Sequence, residues 1–174
     1  PDGQPSRLMT RYVFERGDAA AVIVHDAKCE NVVLVRQFRI PPICRTEDGW
    51  MLEIVAGSMS PDDDPREVVL RELLEEAGID GVDPTAMGSF YLSPGASSER
   101  CHLFHAESDL TGLHGRTGGE KGTHERTWVL VYSLDEALRM VDQGRIIDAK
   151  TVIALQMVHR KRLIGDAHGI TADS

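Results

Sequence analysis

Residues 57–79 read GSMSPDDDPREVVLRELLEEAGI, and the rest of the chain is best read outward from this stretch. Its centre predicts a helix over residues 64–78. Asp64 stands where an N-cap belongs, Pro65 suits the first helical position, and Glu67 completes a capping-box-like spacing. Gly78 supplies the C-terminal stop. With Glu72 at zero on a wheel of 100° per residue, Glu75 falls at about 300° and Glu76 at about 40°. Three carboxylates therefore share one face. Leu70, Leu73, Leu74 and Ala77 form a separate apolar face that can anchor the helix on a sheet. Like charges on adjacent turns repel by a few tenths of a kcal/mol per exposed pair, and Arg71, four residues before Glu75, offsets part of this. A divalent cation with oxygen ligands would relieve the rest. The plain alternative for such a cluster is a solvated acidic face, and the spacing of the flanking residues decides between the two. The Asp62–Asp64 run is not an EF-hand, because Arg66 and Glu67 fall where that loop needs a ligand and its glycine.

The charge balance supports a local reading of this acidity. The 174 residues carry a net charge of −9. Between Glu53 and Asp83 ten acidic side chains face two basic ones, so that window holds −8 of the total. An acidic chain is a poor match for nucleic acid. It also suits an anionic substrate badly unless a cation mediates. The length fits one domain over residues 1–174, with no linker and no repeat. No apolar run reaches the roughly 20 residues of a membrane helix. The opening PDGQPSRLMTRY has no apolar stretch, so no secretory leader is expected, and the start at Pro1 suggests trimming. Three cysteines, Cys29, Cys44 and Cys101, without CxxC spacing argue against disulfides and zinc and for a reducing cytoplasm.

Around the helix the pattern is mostly strand. Residues 1–10 are polar and expected to be loose. Val-rich runs predict strands at YVF from Tyr12, AAAVIVH after Asp18, Val32–Phe38 and Trp50–Ala56. Further strands are expected at Ser89–Leu92, Cys101–Glu107 and Thr127–Tyr132, with helices at Leu134–Asp142 and Ala149–Leu163. Ile43–Gly49 reads as a loop. Ser108–Arg126 reads as a long glycine-rich loop without a pattern, the kind that often carries function.

The 57–79 stretch resembles the Nudix box, G-x5-E-x7-R-E-U-x-E-E-x-G-U, where U is a bulky aliphatic residue. Gly57, Arg71, Glu72, Leu73, Glu75, Glu76, Gly78 and Ile79 match in register. Asp63 is the departure, one methylene shorter than the glutamate of the pattern. The resemblance implies an α+β Nudix fold, an α/β/α sandwich with a mixed β-sheet. It also implies Mg²⁺- or Mn²⁺-dependent hydrolysis of a nucleoside diphosphate linked to another group. On this resemblance Glu72, Glu75, Glu76 and the Ala56 carbonyl are the metal ligands, with Glu76 central to catalysis. Gly57 allows the turn that aims that carbonyl, and Arg71 orients carboxylates.

Flanking segments bear on the substrate. LEIVAG at Leu52–Gly57, Pro94 within YLSPGASSER, the N-terminal RGDAAAVIVHD and VVLVRQFRIPP, and the closing GRIIDAKTVIALQ resemble the ADP-ribose pyrophosphatase subgroup. That implies hydrolysis of ADP-ribose to AMP and ribose 5-phosphate. The same segments resemble GDP-mannose hydrolases, so GDP-mannose or another sugar nucleotide is the alternative. A non-catalytic nucleotide-sensing module is the alternative of another class, but such modules usually lose box glutamates that this chain keeps. The subgroup resemblance points to Arg16, Arg39 and Glu53 as substrate-binding residues, each with a structural alternative: surface arginines, and a strand-end carboxylate. It places a mobile acidic general base in the long loop, for which Glu120 and Glu125 are the candidates. It also implies a homodimer. Trp128, Tyr91, His102, His105 and Cys101 read more simply as packing or surface residues than as site residues.

Overall fold

The computed structural model describes residues 7–45, 48–119 and 126–169. Its strands are β1 (Ala19–His25), β2 (Asn31–Phe38), β3 (Trp50–Glu53), β4 (Val55–Ser58), β5 (Thr85–Tyr91), β6 (Arg100–Glu107), β7 (Thr117–Gly118) and β8 (Thr127–Ser133). A short turn of helix, α1, covers Ile40–Ile43. The longer helices are α2 (Pro65–Glu72), α3 (Leu134–Asp142) and α4 (Ala149–Gly169). The strands run in the order β5-β6-β1-β2-β8-β7, with β3 paired to β2 and β4 to β1. The β1–β6 pair is parallel and the other pairs are antiparallel, which makes the sheet mixed. Among the described residues no helix is long and apolar enough to cross a membrane.

Alternation along the central strands builds two cores. Ala20, Val22 and Val24 of β1, with Val33 and Val35 of β2, face Val68, Val69, Leu73 and Ala77 of the box helix. Their neighbours Ala21, Ile23, Val32 and Leu34 face Leu134, Ala137, Met140, Ala154, Leu155 and Val158 of α3 and α4. A sheet covered on both faces needs continuous apolar strands, which is why AAAVIVH and VVLV lack polar alternation. This is the expected α/β/α sandwich.

The structure revises several expected elements. Trp50–Ala56 is not one strand. β1 and β2 pair directly only near their turn, at Val24–Val33 and His25–Val32, and then diverge. β3 continues along β2, and β4 continues along β1. Ile54 sits at this fork and gives its N–H to Thr151 Oγ1 of α4 at 2.9 Å. YVF forms no strand: Tyr12, Val13 and Phe14 are exposed, and an isolated bridge joins Phe14 to Ser97. Part of the long loop is ordered, since β7 pairs with β8 through Thr117–Trp128 and Gly118–Thr127. Strands β5 and β6 begin earlier than expected, and α4 runs six residues beyond Leu163.

The box helix also departs from regularity. Asp64 does cap it, accepting from Arg66 N at 2.9 Å, with Pro65 in the first turn. After Glu72 the helix widens into a π-helical segment, Leu73–Ala77, and ends at Gly78 in the left-handed region at φ 63°. Widening changes the angular spacing that a 100° wheel assumes. Leu74, expected on the apolar face, is 56% exposed, and Glu76 is buried with Leu73 and Ala77.

Candidate active site

The fork in the sheet opens into a cleft of about 430 Å³, whose lining includes Arg16, Arg39, Glu53, Ala56, Gly57 and Lys150. Gly57 lies in β4, opposite Ala20 of β1. It is extended, so its role is not the turn expected from sequence. A Cβ built there would lie 2.2 Å from Glu72 Oε1 and 2.5 Å from its Cγ. Glycine is needed because the Glu72 side chain passes directly over the strand. Arg71 contacts the same carboxylate, 3.1 Å from Nη2 to Oε1. It pairs with Glu72, its chain neighbour, and not with Glu75 as helical spacing suggested.

Glu76 is the most unusual acid of the box, and it lies next to Ala56 of the cleft wall. It is 6% exposed, and its Oε2 has no hydrogen-bond partner. Burial first, and then the charge of Glu72, push its carboxyl up to about 8, although Arg39 and the Ala56 N–H favour the ionised form. A buried acid with an orphaned oxygen costs free energy unless it keeps a proton or gains a cation. These carboxylates therefore fit a hard divalent cation: Glu76 and Glu72 lie close enough for their charges to act on each other, and Glu75 is half-buried in the same turn. Among the described residues no three acidic, histidine or cysteine side chains form a finished cage, so a backbone carbonyl, substrate or water would have to complete the shell.

The cleft itself holds a neutral quartet, Arg39, Glu53, Asp148 and Lys150. Arg39 grips Glu53 with two bonds, Nε to Oε1 at 2.9 Å and Nη2 to Oε2 at 3.1 Å. Lys150 Nζ lies 2.5 Å from Glu53 Oε2 and 3.0 Å from Asp148 Oδ1. Burial alone would raise the Glu53 carboxyl, but the bonds and charges of Arg39 and Lys150 outweigh it and hold it below its ordinary value. Burial likewise lowers Lys150, and Glu53 and Asp148 together return it above its ordinary value. Both ions are thus kept charged inside the protein.

Comparison with known proteins agrees with this geometry. The NUDIX domain family matches residues 15–154. The chain belongs to the Nudix family. It is 37% identical to the ADP-ribose pyrophosphatase of Escherichia coli K12 over 158 residues, 89% of this chain and 74% of that protein. It is 38% identical to the GDP-mannose pyrophosphatase of Cronobacter sakazakii over 147 residues, 84% and 75% of the two chains. The Salmonella arizonae GDP-mannose pyrophosphatase is 34% identical over 156 residues, 89% and 80%.

Within this Nudix domain the remaining expected residues fall on both sides of the cleft or outside it. Asp63 closes the loop before the helix, accepting from Ser60 N at 2.8 Å. Arg16 lines the cleft, 3.2 Å from Ser58 Oγ and 3.4 Å from Glu99 Oε1. Glu120 and Glu125 lie outside the described residues. Tyr91 is 59% exposed, so it is not a core residue. Trp128 packs edge-on against Trp50, 5.0 Å between ring centroids. His102 bonds Asp18 and Ser89, and His105 stacks on His25, so neither histidine belongs to the cleft. Cys101 is buried, and burial pushes its thiol up to about 11, which suits packing and not nucleophilic attack.

Sequence reasoning missed Lys150 and Asp148. A usable signal was present. Lys150 sits in the first turn of α4, where the helix dipole disfavours a cation. A lysine so placed is better tolerated beside carboxylates, which Glu53 and Asp148 supply, although position alone does not name them.

Proposed function

We propose that this Nudix hydrolase cleaves the diphosphate of ADP-ribose, giving AMP and ribose 5-phosphate, with Mg²⁺ or Mn²⁺ as cofactor. The observation that carries the reading is the orphaned Oε2 of buried Glu76, set beside Glu72 and the Ala56 N–H, with Ala56 itself lining a cleft that Arg16, Arg39 and Lys150 share. Glu72, Glu75, Glu76 and the Ala56 carbonyl would hold the cations. Bound there, divalent cations supply neutralisation of the diphosphate and an acidified water. Arg71 steers the Glu72 carboxylate. Arg16 and Arg39 bring positive charge to the diphosphate, and Glu53 sets the plane of the Arg39 guanidinium. Glu120 or Glu125 takes the proton of the attacking water.

GDP-mannose is the second reading, favoured by the comparable identity to GDP-mannose pyrophosphatases. A panel of ADP-ribose, GDP-mannose, NADH and diadenosine polyphosphates, each with and without Mg²⁺, tests both. The expected result is Mg²⁺-dependent turnover with ADP-ribose fastest. Faster turnover of GDP-mannose transfers the assignment to that substrate, and no Mg²⁺-dependent turnover of any compound refutes the enzyme.

A homodimer is part of the same proposal. Leu8, Met9, Tyr12, Val13 and Phe14 are each more than half exposed along an extended arm, an apolar display that fits a second copy. Light scattering should show a dimer for the whole chain and a monomer once residues before Glu15 are removed. The free thiols of Cys29, Cys44 and Cys101 support a reducing, cytoplasmic setting.

A further inference from the structure

We propose that Thr127 and Gly118 are positioning residues that set the backbone of Glu76, an assignment that rests on the metal-binding role proposed above. The end of a helix leaves its last carbonyls without intrahelical partners. Here Gly78 N–H bonds Leu74 O at 3.1 Å and Ile79 N–H bonds Leu73 O at 3.0 Å. The next two carbonyls are taken by the neck of the β7–β8 hairpin. Gly119 N–H donates to Glu75 O at 2.9 Å, and the Thr127 hydroxyl donates to Glu76 O at 2.9 Å.

These two bonds act on one residue. The Glu75 carbonyl belongs to the peptide plane before the Glu76 Cα, and the Glu76 carbonyl belongs to the plane after it. Peptide units are rigid planes, so pinning both leaves Glu76 its side-chain rotamers but little backbone freedom. Thr127 is fully buried, so its hydroxyl bond does not exchange readily with water. Gly118 makes the approach feasible: a Cβ built there would lie 2.1 Å from Glu76 O and 2.8 Å from Glu75 O. Pairing of Thr117 with Trp128 and of Gly118 with Thr127 holds both donors in register. The hairpin thus clamps the π-helical segment in the pose that holds the Glu76 carboxylate beside Glu72 and the Ala56 N–H.

The test compares Thr127→Val, Thr127→Ser and Gly118→Ala in the full chain. Mn²⁺ binding is read by electron paramagnetic resonance without substrate, and kcat and KM are measured separately with ADP-ribose. Thr127→Val should weaken Mn²⁺ binding and lower kcat by roughly 10–100-fold, the range for groups that orient metal ligands. At saturating Mg²⁺ KM should stay close to that of the parent protein, because Arg16 and Arg39 are untouched. Thr127→Ser keeps the donor and should restore both quantities. Gly118→Ala moves the same carbonyls from the opposite strand and should repeat the loss, which keeps the clamp testable if Thr127→Val does not melt cooperatively. A Thr127→Val protein that binds Mn²⁺ and turns over normally overturns the proposal, as does a Thr127→Ser protein as impaired as Thr127→Val. A parent protein that binds no Mn²⁺ refutes the cation site itself, a distinct result because the variants then have nothing to lose.

Discussion

Glu76 should make the metal-free protein less stable as pH rises. Its carboxyl is pushed up to about 8 from an ordinary value of 4.5, mainly by burial and then by Glu72. Between those two values the native chain holds a proton that the unfolded chain has released. The contribution is therefore fully present below about pH 4.5 and drains away as pH climbs through about 8. Inside the window each pH unit costs about 1.4 kcal/mol. From pH 6 to pH 9 about two such units are crossed, so the loss is about 2.5 kcal/mol, or roughly 5–10 °C in Tm for a chain of this size. With Glu76 only 6% exposed, solvent screening reduces this little.

The assay is a series of urea melts in EDTA from pH 6 to pH 9, comparing the parent protein with Glu76→Gln. Other groups titrate over this range in both proteins, so the difference between the two isolates Glu76. The parent should lose about 2.5 kcal/mol relative to the variant as pH rises. Adding Mg²⁺ at pH 9 should restore the parent and leave Glu76→Gln nearly unchanged, because a cation stabilises only the state that binds it. A difference that stays flat within about 0.5 kcal/mol, the usual scatter between independent sites, would refute the burial argument.

Three further outcomes follow from the same geometry. Lys150→Met removes one of the two cations on buried Glu53, and urea melts at pH 7 should show a loss of about 3–5 kcal/mol, as for a buried ion pair stripped of a partner. Gly57→Ala forces the Glu72 carboxylate off the strand, so Mg²⁺-dependent turnover should fall by about tenfold or more while the calorimetric Tm shifts little. Asp64→Ala deletes the cap on Arg66 N–H and should cost about 1 kcal/mol in denaturant melts, leaving the metal concentration for half-maximal rate unchanged.

The parts of this molecule that can be read from sequence are those fixed by local rules. Asp64, Pro65 and Gly78 bound the box helix by capping chemistry, and the structure keeps all three in those roles. The apolar runs of β1, β2, α3 and α4 report burial through their periodicity, and they form the two cores. What stayed hidden depends on partners distant in the chain. The split of Trp50–Ala56 into β3 and β4 follows from the divergence of β1 and β2, which no residue within the run records. Lys150 meets Glu53 across 97 residues, and Thr127 meets Glu76 across 51. The π-helical widening at Leu73–Ala77 is likewise tertiary. No glycine or proline marks it, and it turns Leu74 out of the apolar face that a regular helix predicts.

The excess negative charge of the 53–83 window is distributed by the fold with a clear division of labour. Glu53 is neutralised by Arg39 and Lys150, Asp63 and Asp64 are spent on backbone N–H groups, and Asp83 pairs with Arg66 at the surface. Glu67 also faces Arg66, Asp80 accepts from Gly81 N–H, and Asp62 is exposed, so Glu72, Glu75 and Glu76 are the acids gathered on one segment, with Arg71 on Glu72. Gathering them depends on two glycines of the extended kind. Gly57 admits Glu72 from the strand side, and Gly118 admits the hairpin that takes the Glu75 and Glu76 carbonyls. Neither sits in the left-handed region, so both are glycine for want of space and not for a turn. The result is a site whose backbone is over-determined while one carboxylate oxygen is left unsatisfied. Such an imbalance lowers the stability of the metal-free fold and raises its affinity for a cation by the same interaction, since whatever satisfies Glu76 also stabilises the native state.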